Sequence, residues 1–399
     1  MERNSNLGNY QGEKSDREKS NAIDEVSSGA IVEMRDRLLK MQREGKKVYR
    51  LESGDPSFNI PDHVAEAIIN AIKSNKTHYT DSSGIPELRE AIAEKLKKKN
   101  GIKHADSDHV VVTNGGMNGL NVLFRALLSE GDRVVIPDPM WTEIGENIKL
   151  AGGVPLPVNV DKYIEGFEKA LKNDHRIRAV FLNSPHNPTG KVLTGDEIRS
   201  IVDLASENDL TVVSDEAYED VIFDGRSNVS PASIYENTIS VYSMSKTYAM
   251  SGLRLGYVYS KDSKMVSRFK KLLRCTINGV NSITQYGAVA ALKGPQGYIE
   301  DMKNEYQKRR DIIYSAVSGS KYLDPVKPGG AFYLWCHIKE YPEDVNDSAG
   351  MSEYILEKTG VGSSPGIAFG NAGKNYVRFA FSADTQQITE ASNILHEKI

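Results

Sequence analysis

Several things are scarce in this sequence of 399 residues. It has two cysteines, Cys275 and Cys336, too few for a disulfide framework. Reduced thiols and a cytoplasmic setting are therefore expected. No apolar run approaches the ~18 residues of a membrane span, so no membrane partner is expected. The net charge is -4, without the basic excess of a nucleic-acid binder. The eight histidines lack the paired spacing of a metal site, and no internal repeat is visible. The first twenty residues are polar and almost free of apolar side chains, which predicts a disordered tail over 1–20. A signal peptide needs an apolar core and a mitochondrial transit peptide is poor in acids; this segment has Glu2, Glu13, Asp16 and Glu18.

What is present is a regular alternation. "HVAEAIINAIKS" and "IPELREAIAEKLKKKNG" carry apolar residues at helical spacing. "HVVVTNGG" is a buried strand running into glycines, followed by a helix expected near Leu120 and closed by Gly131. "DRVVIPDP", "RAVFLNSPHNPTG", "LTVVSDEAYED" and "ISVYSMSK" read as further strands. Helices lie between them, one with an N-cap candidate at Thr194. Strands about thirty residues apart with helices between predict an α/β fold with a mostly parallel sheet. The last third differs, with a long amphipathic helix, strands in "GGAFYLWCHI" and "NYVRFAFS", and a closing helix. The expected division is a large domain over 64–294 and a smaller α+β domain from 21–63 and 295–399.

In parallel sheets ligands bind beyond the carboxyl ends of the strands. The unusual residues cluster there: Gly115, Gly116, Trp141, Asn187, Asp215, Tyr218 and Lys246. Lys246 is a single cation between two apolar β-type runs, "TISVYS" and "LRLGYVYS". A lysine kept uncharged by burial can attack a carbonyl and form an imine. "TNGGMNGL" offers backbone N–H groups at a helix start, which suit a phosphate, and Ser243, Ser245 and Arg254 add donors. Asp215 could pair with a protonated ring nitrogen, and Trp141 could cover a flat ring. Alone, the glycines suit a turn, Trp141 a core, Asp215 a helix cap and Lys246 a snorkelling surface cation. Together they fit pyridoxal 5′-phosphate.

The stretches "LESGDPSFNIP", "HYTDSSGIPELREAI", "VVVTNGGMNGL", "NSPHNPTG", "VVSDEAYED", "SMSKTYAMSGLRLGY" and "YVRFAFS" occur in one order. The chain thereby resembles the class I/II aminotransferases, fold-type-I pyridoxal-phosphate enzymes of the aspartate-aminotransferase kind, over nearly everything after residue ~21. The resemblance implies that Lys246 carries the cofactor as a Schiff base and shuttles the substrate Cα proton. It implies that Asp215 keeps the pyridine nitrogen protonated, that Tyr218 and Asn187 bond the ring oxygen, and that Trp141 stacks on the ring. Gly115, Gly116, Met117, Ser243, Ser245 and Arg254 would line the phosphate site, with Tyr79 reaching it from the other subunit of a homodimer. Arg378 would clamp the substrate α-carboxylate, with Gly54 beside it.

One departure stands out: Met117 sits where many relatives have serine, threonine or lysine, so its backbone N–H alone would serve the phosphate. The implied activity is amino transfer from an L-amino acid, aspartate or a broader or aromatic donor, to a 2-oxoacid such as 2-oxoglutarate, by a ping-pong mechanism. Two other functions share the scaffold: a pyridoxal-phosphate-dependent C–S β-lyase and a non-catalytic sensor. Such sensors usually carry a fused DNA-binding domain, for which the tail is too short. Arg274 lies where dicarboxylate-specific members place a second arginine that reaches the partner's site. It also simply continues the basic face of "SRFKKLLR", with Arg268, Lys270 and Lys271, which is the plainer reading.

Overall fold

A computed structural model describes residues 22–26 and 29–399. The expected polar tail, 1–20, lies outside the described residues. Seven strands form the principal sheet: β1 Val110–Thr113, β2 Arg133–Asp138, β3 Val154–Asn159, β4 Ile177–Asn183, β5 Thr211–Asp215, β6 Thr238–Ser243 and β7 Gly256–Ser260. Their spatial order is β1-β7-β6-β5-β4-β2-β3. Neighbours are parallel except at β7, which is antiparallel to both β1 and β6. The mostly parallel sheet read from the sequence is therefore what the chain forms.

The strands are apolar on both faces because both faces are covered. Successive residues alternate: Val111, Val213 and Val241 enter one core, while Val110, Val112 and Val212 face the other side. The first face packs on helices Gly115–Leu127, Thr142–Leu150 and Ser263–Thr276. The opposite face packs on Pro86–Lys98 and Ser282–Lys293 at one end and on Tyr163–Asn173 and Gly195–Glu207 at the other. Thr194 caps the last of these as read. Its hydroxyl accepts the Glu197 N–H at 3.2 Å, and Glu197 Oε2 accepts the Thr194 N–H at 2.8 Å. Such a reciprocal cap contributes about 1 kcal/mol.

One expectation needs correcting. The helix placed near Leu120 begins at Gly115. Its first turn is built of glycines because it runs hard against β6 and β7. A Cβ on Gly116 would stand 3.4 Å from the Ser243 Cβ, and Gly115 needs φ +80. Helices Ala30–Arg43, Tyr163–Asn173 and Ser348–Thr359 were not read from the sequence.

A second, antiparallel sheet has the order Ser364–Pro365, Tyr376–Ala380, Tyr333–Ile338, Leu323–Val326. Helices Gly297–Ser318 and Thr385–Lys398 share its core, where Tyr306, Ile313, Ile388 and Leu395 meet Leu334 and Phe379. The segment 51–54 runs beside this sheet: the Ala380 N–H donates to the Leu51 carbonyl at 2.6 Å and the Ser382 hydroxyl to the Ser53 carbonyl at 3.0 Å. That segment faces the carboxyl ends of the parallel strands.

Candidate active site

Between the two sheets lies a cavity of about 430 Å³, within the range of small-molecule sites. Its floor is the carboxyl edge of the large sheet. Asn183 ends β4, Asp215 ends β5 and Ser243 ends β6. Lys246 follows in a single helical turn, Met244–Thr247, whose N-cap is Ser243. Its amine donates to the Gly54 carbonyl at 2.7 Å and lies 5.9 Å from the Tyr218 ring centre and 5.5 Å from that of Phe332. The side chain meets the cavity but is otherwise enclosed by protein. Burial brings its pKa down to about 8, against the pull of Asp55.

Asp215 is buried, and burial raises its carboxyl to about 6 although it accepts the Ala217 N–H at 3.0 Å. Asn183 fixes this corner. Its Nδ2 donates to the Asp215 carbonyl at 3.0 Å, and its Oδ1 accepts the Asn187 N–H at 2.9 Å. The hydroxyls of Tyr218 and Tyr333 share a hydrogen bond of 2.7 Å. Burial, and then Tyr333, holds the Tyr218 phenol well above its ordinary pKa.

At one end of the cavity stand Gly116, Met117, Ser243, Ser245 and Arg254. Arg254 adopts a left-handed backbone, φ 54, a strained choice for a side chain of this size. That turn brings its guanidinium beside the helix start, where a Cβ on Gly115 would meet Nη2 at 2.6 Å. Gly115 itself does not line the cavity; it makes room for Arg254. Met117 is fixed by Asn147, whose Nδ2 lies 3.4 Å from its sulfur.

Arg378 occupies the other end, buried on the middle of the strand Tyr376–Ala380. Nη1 donates to Asn187 Oδ1 at 2.8 Å, and Nη2 to the Glu52 carbonyl at 2.8 Å and the Ser364 hydroxyl at 3.2 Å. The guanidinium stacks 4.2 Å from the Tyr333 ring centre and 4.6 Å from that of Phe369. Its Nε is buried without a partner among the described residues. Gly54 must be glycine here, since a Cβ would lie 2.1 Å from the Tyr333 hydroxyl.

The cavity thus unites Lys246, Asp215, Tyr218, Asn187, Trp141, Met117, Gly116, Ser243, Ser245, Arg254, Gly54 and Arg378. Besides Gly115, two predicted residues lie elsewhere. Tyr79 is 90% exposed and lines a separate cleft with residues 278–283. Arg274 is exposed in the last turn of Ser263–Thr276, outside the cavity. Asn183, Tyr333, Glu52 and Glu143 line the cavity without having been read. Asn183 had a signal, since it opens "NSPHNPTG" at a strand end. Tyr333 reads as an ordinary strand residue.

The donor set fits pyridoxal phosphate. An arginine, two serines and a helix N-terminus suit a dianion. A buried acid held near pH 6 lacks a hydrogen-bonded cation, which a protonated ring nitrogen would supply. A depressed lysine lies beyond it, and no group of three or more metal-binding side chains occurs among the described residues.

Comparison with known proteins agrees. Residues 46–395 match the family described as aminotransferase class I and II. The chain is 36% identical over 364 residues to the probable aspartate/prephenate aminotransferase of Aquifex aeolicus, covering 88% of this chain and 91% of that one. It is 35% identical over 370 residues to aromatic-amino-acid aminotransferase 2 of Thermococcus litoralis, with 88% and 92% covered. The solved aspartate aminotransferase from Thermus thermophilus with maleate superposes with a TM-score of 0.88 at 30% identity, over 94% of this chain and 98% of that one. The chain belongs to the class I and II aminotransferases and is a pyridoxal-phosphate-dependent transaminase.

Proposed function

We propose that the protein moves the amino group of an L-amino acid, aspartate or a broader or aromatic donor, to a 2-oxoacid such as 2-oxoglutarate, in two alternating half-reactions at Lys246. Relatives named for aspartate and for aromatic amino acids support that range. One observation carries the reading. The segment 52–54 accepts a hydrogen bond from Lys246 at Gly54 and from Arg378 at Glu52. An amine that can lose its charge and a guanidinium that cannot are thereby held around one cavity.

When bound, pyridoxal phosphate supplies a sink for the electrons released at the substrate Cα. Arg378 takes the substrate α-carboxylate through its guanidinium, whose Nη1 keeps one N–H beyond the bond to Asn187. Lys246, neutral above about pH 8 in this site, would take the proton from the substrate Cα. Asp215 holds a proton at the ring nitrogen. Asn187 Oδ1 is occupied by Arg378, which leaves its amide N–H₂ and the Tyr218 hydroxyl for the ring oxygen. Trp141 would cover the ring, and Arg254, Ser243, Ser245 and the N–H groups of Gly116 and Met117 would hold the phosphate.

The unit is a homodimer in the cytoplasm, in which Tyr79 of each subunit completes the other's phosphate site. Its high exposure and its place outside its own cavity support this. The test is a screen of donors with 2-oxoglutarate and with pyruvate as acceptors, beside cystathionine alone. Amino transfer at the expense of an acceptor is expected. Pyruvate and ammonia released from cystathionine without acceptor, and no transfer, would favour the β-lyase.

A further inference from the structure

We infer that Glu143 is a specificity-determining residue, which turns the side-chain end of the substrate site toward uncharged, hydrogen-bond-donating side chains and away from dicarboxylates. This rests on the transaminase reading of the cavity and narrows its donor.

Glu143 lies in the first turn of Thr142–Leu150, two residues beyond Trp141, and lines the same cavity as Lys246 and Arg378. Its Oε2 is buried and has no hydrogen-bond partner among the described residues. A buried carboxylate oxygen without a donor is costly, and this one is closed off from the cavity, so a substrate would meet the remainder of the Glu143 carboxyl. The charges acting most on the group are Arg378, which attracts it, and Glu146, which repels it. Its charge also acts on Tyr333, on whose ring Arg378 stacks, so Glu143 lies within electrostatic reach of the Arg378 end of the cavity. Burial raises its pKa, consistent with a carboxyl whose charge is poorly met.

Among the described lining residues, the cations besides Lys246 and the phosphate-end Arg254 are Arg378 and Arg35. Arg378 already gives N–H groups to Asn187, Glu52 and Ser364, and what remains suits one carboxylate. Glu52 also has an unpartnered oxygen, but Arg50 holds its other one through two bonds of 2.9 and 2.7 Å. Arg35 borders the cavity from the helix Ala30–Arg43, yet its side chain is 49% exposed and paired with Asp36 at 3.2 Å. The cavity lining also includes the apolar Leu120 and Ile31. A distal carboxylate would bring a second anion against Glu143, whereas an amide, hydroxyl or indole N–H would donate to the cavity side of its carboxyl. Donor and 2-oxoacid share the cavity, so within the proposed range the selection disfavours aspartate as donor and, as acceptor, 2-oxoglutarate relative to a monocarboxylate such as pyruvate.

The test compares wild-type holoenzyme with Glu143→Gln, following the donor half-reaction by cofactor absorbance. The donors are the isosteric pairs aspartate/asparagine and glutamate/glutamine, with tyrosine added. Wild type should favour the amide in each reacting pair, and Glu143→Gln should shift that ratio toward the acid by at least about tenfold, as desolvated like charges oppose one another. Calorimetric binding of succinate, which cannot react, should tighten by a similar factor in Glu143→Gln. Wild type preferring the acids, or an unchanged ratio and unchanged succinate affinity in the variant, overturns the inference and leaves the transaminase reading intact. No reaction with any of the five donors overturns both.

Discussion

The amine of Lys246 donates to the carbonyl oxygen of Gly54 at 2.7 Å, across 192 positions of sequence. The segment leading to Gly54 is anchored beside the smaller sheet, Leu51 by Ala380 and Ser53 by Ser382, while Lys246 hangs from β6 of the larger one. The bond therefore sets the gap between the two layers at the point where the chemistry is proposed. It also keeps a buried amine satisfied while leaving it near its point of charge loss, which is the state a proton shuttle requires.

That burial has a consequence for the apoprotein. Lys246 has a pKa of about 8 in the fold, against an ordinary 10.5. Below pH 8 both folded and unfolded chains hold the proton, and the folded chain bears the cost of a buried charge. Between pH 8 and 10.5 the unfolded chain alone holds it, so stability rises with pH. Relative to Lys246→Met, the wild-type apoprotein should gain roughly 3 kcal/mol across that window. Urea unfolding of both proteins at pH 7.5 and 10.5 checks this. A stability difference that does not change with pH would contradict it.

Asp215→Ala should cost turnover far more than it costs cofactor binding. The phosphate contacts remain, but the ring nitrogen loses its acid. Losing about two pKa units of support for that proton is worth about 2.7 kcal/mol, or roughly a hundredfold in kcat. Cofactor titration and steady-state rates separate the two effects. Near-normal kcat in the variant would remove Asp215 from its proposed role.

Subunits should complement one another. Tyr79 is 90% exposed and remote from its own cavity, so Tyr79→Phe and Lys246→Ala damage different sides of a shared site. Mixing the two inactive variants under exchange conditions should restore part of the activity. A monomer that is active at assay concentration, seen by sedimentation, would rule out the shared site.

The parallel sheet and the strand-end residues were legible because each strand is a short apolar run bounded by a polar or glycine-rich turn. Lys246 was visible as a lone cation between two such runs. The helix Gly115–Leu127 was misplaced by five residues because glycine normally argues against helix, and only the packing of Ser243 and Arg254 against that turn explains it. Glu143 was hidden for the opposite reason. An acid in the first turn of a helix is what the helix dipole favours, so its type carried no signal. What distinguishes it is the missing partner at Oε2, which depends on residues far away in sequence. Tyr333 and Glu52 were hidden likewise, since their roles come from neighbours brought by the second sheet.

The most direct measurement is the absorbance spectrum of purified wild type and Lys246→Ala with pyridoxal phosphate added, taken with the rate of amino transfer. The account predicts a Schiff-base band in the wild type that the variant lacks, with transfer reduced to background and both proteins folded by circular dichroism. The same band and rate in both proteins would mean that another amine carries the cofactor, and that the cavity around Lys246 is not where the reaction occurs.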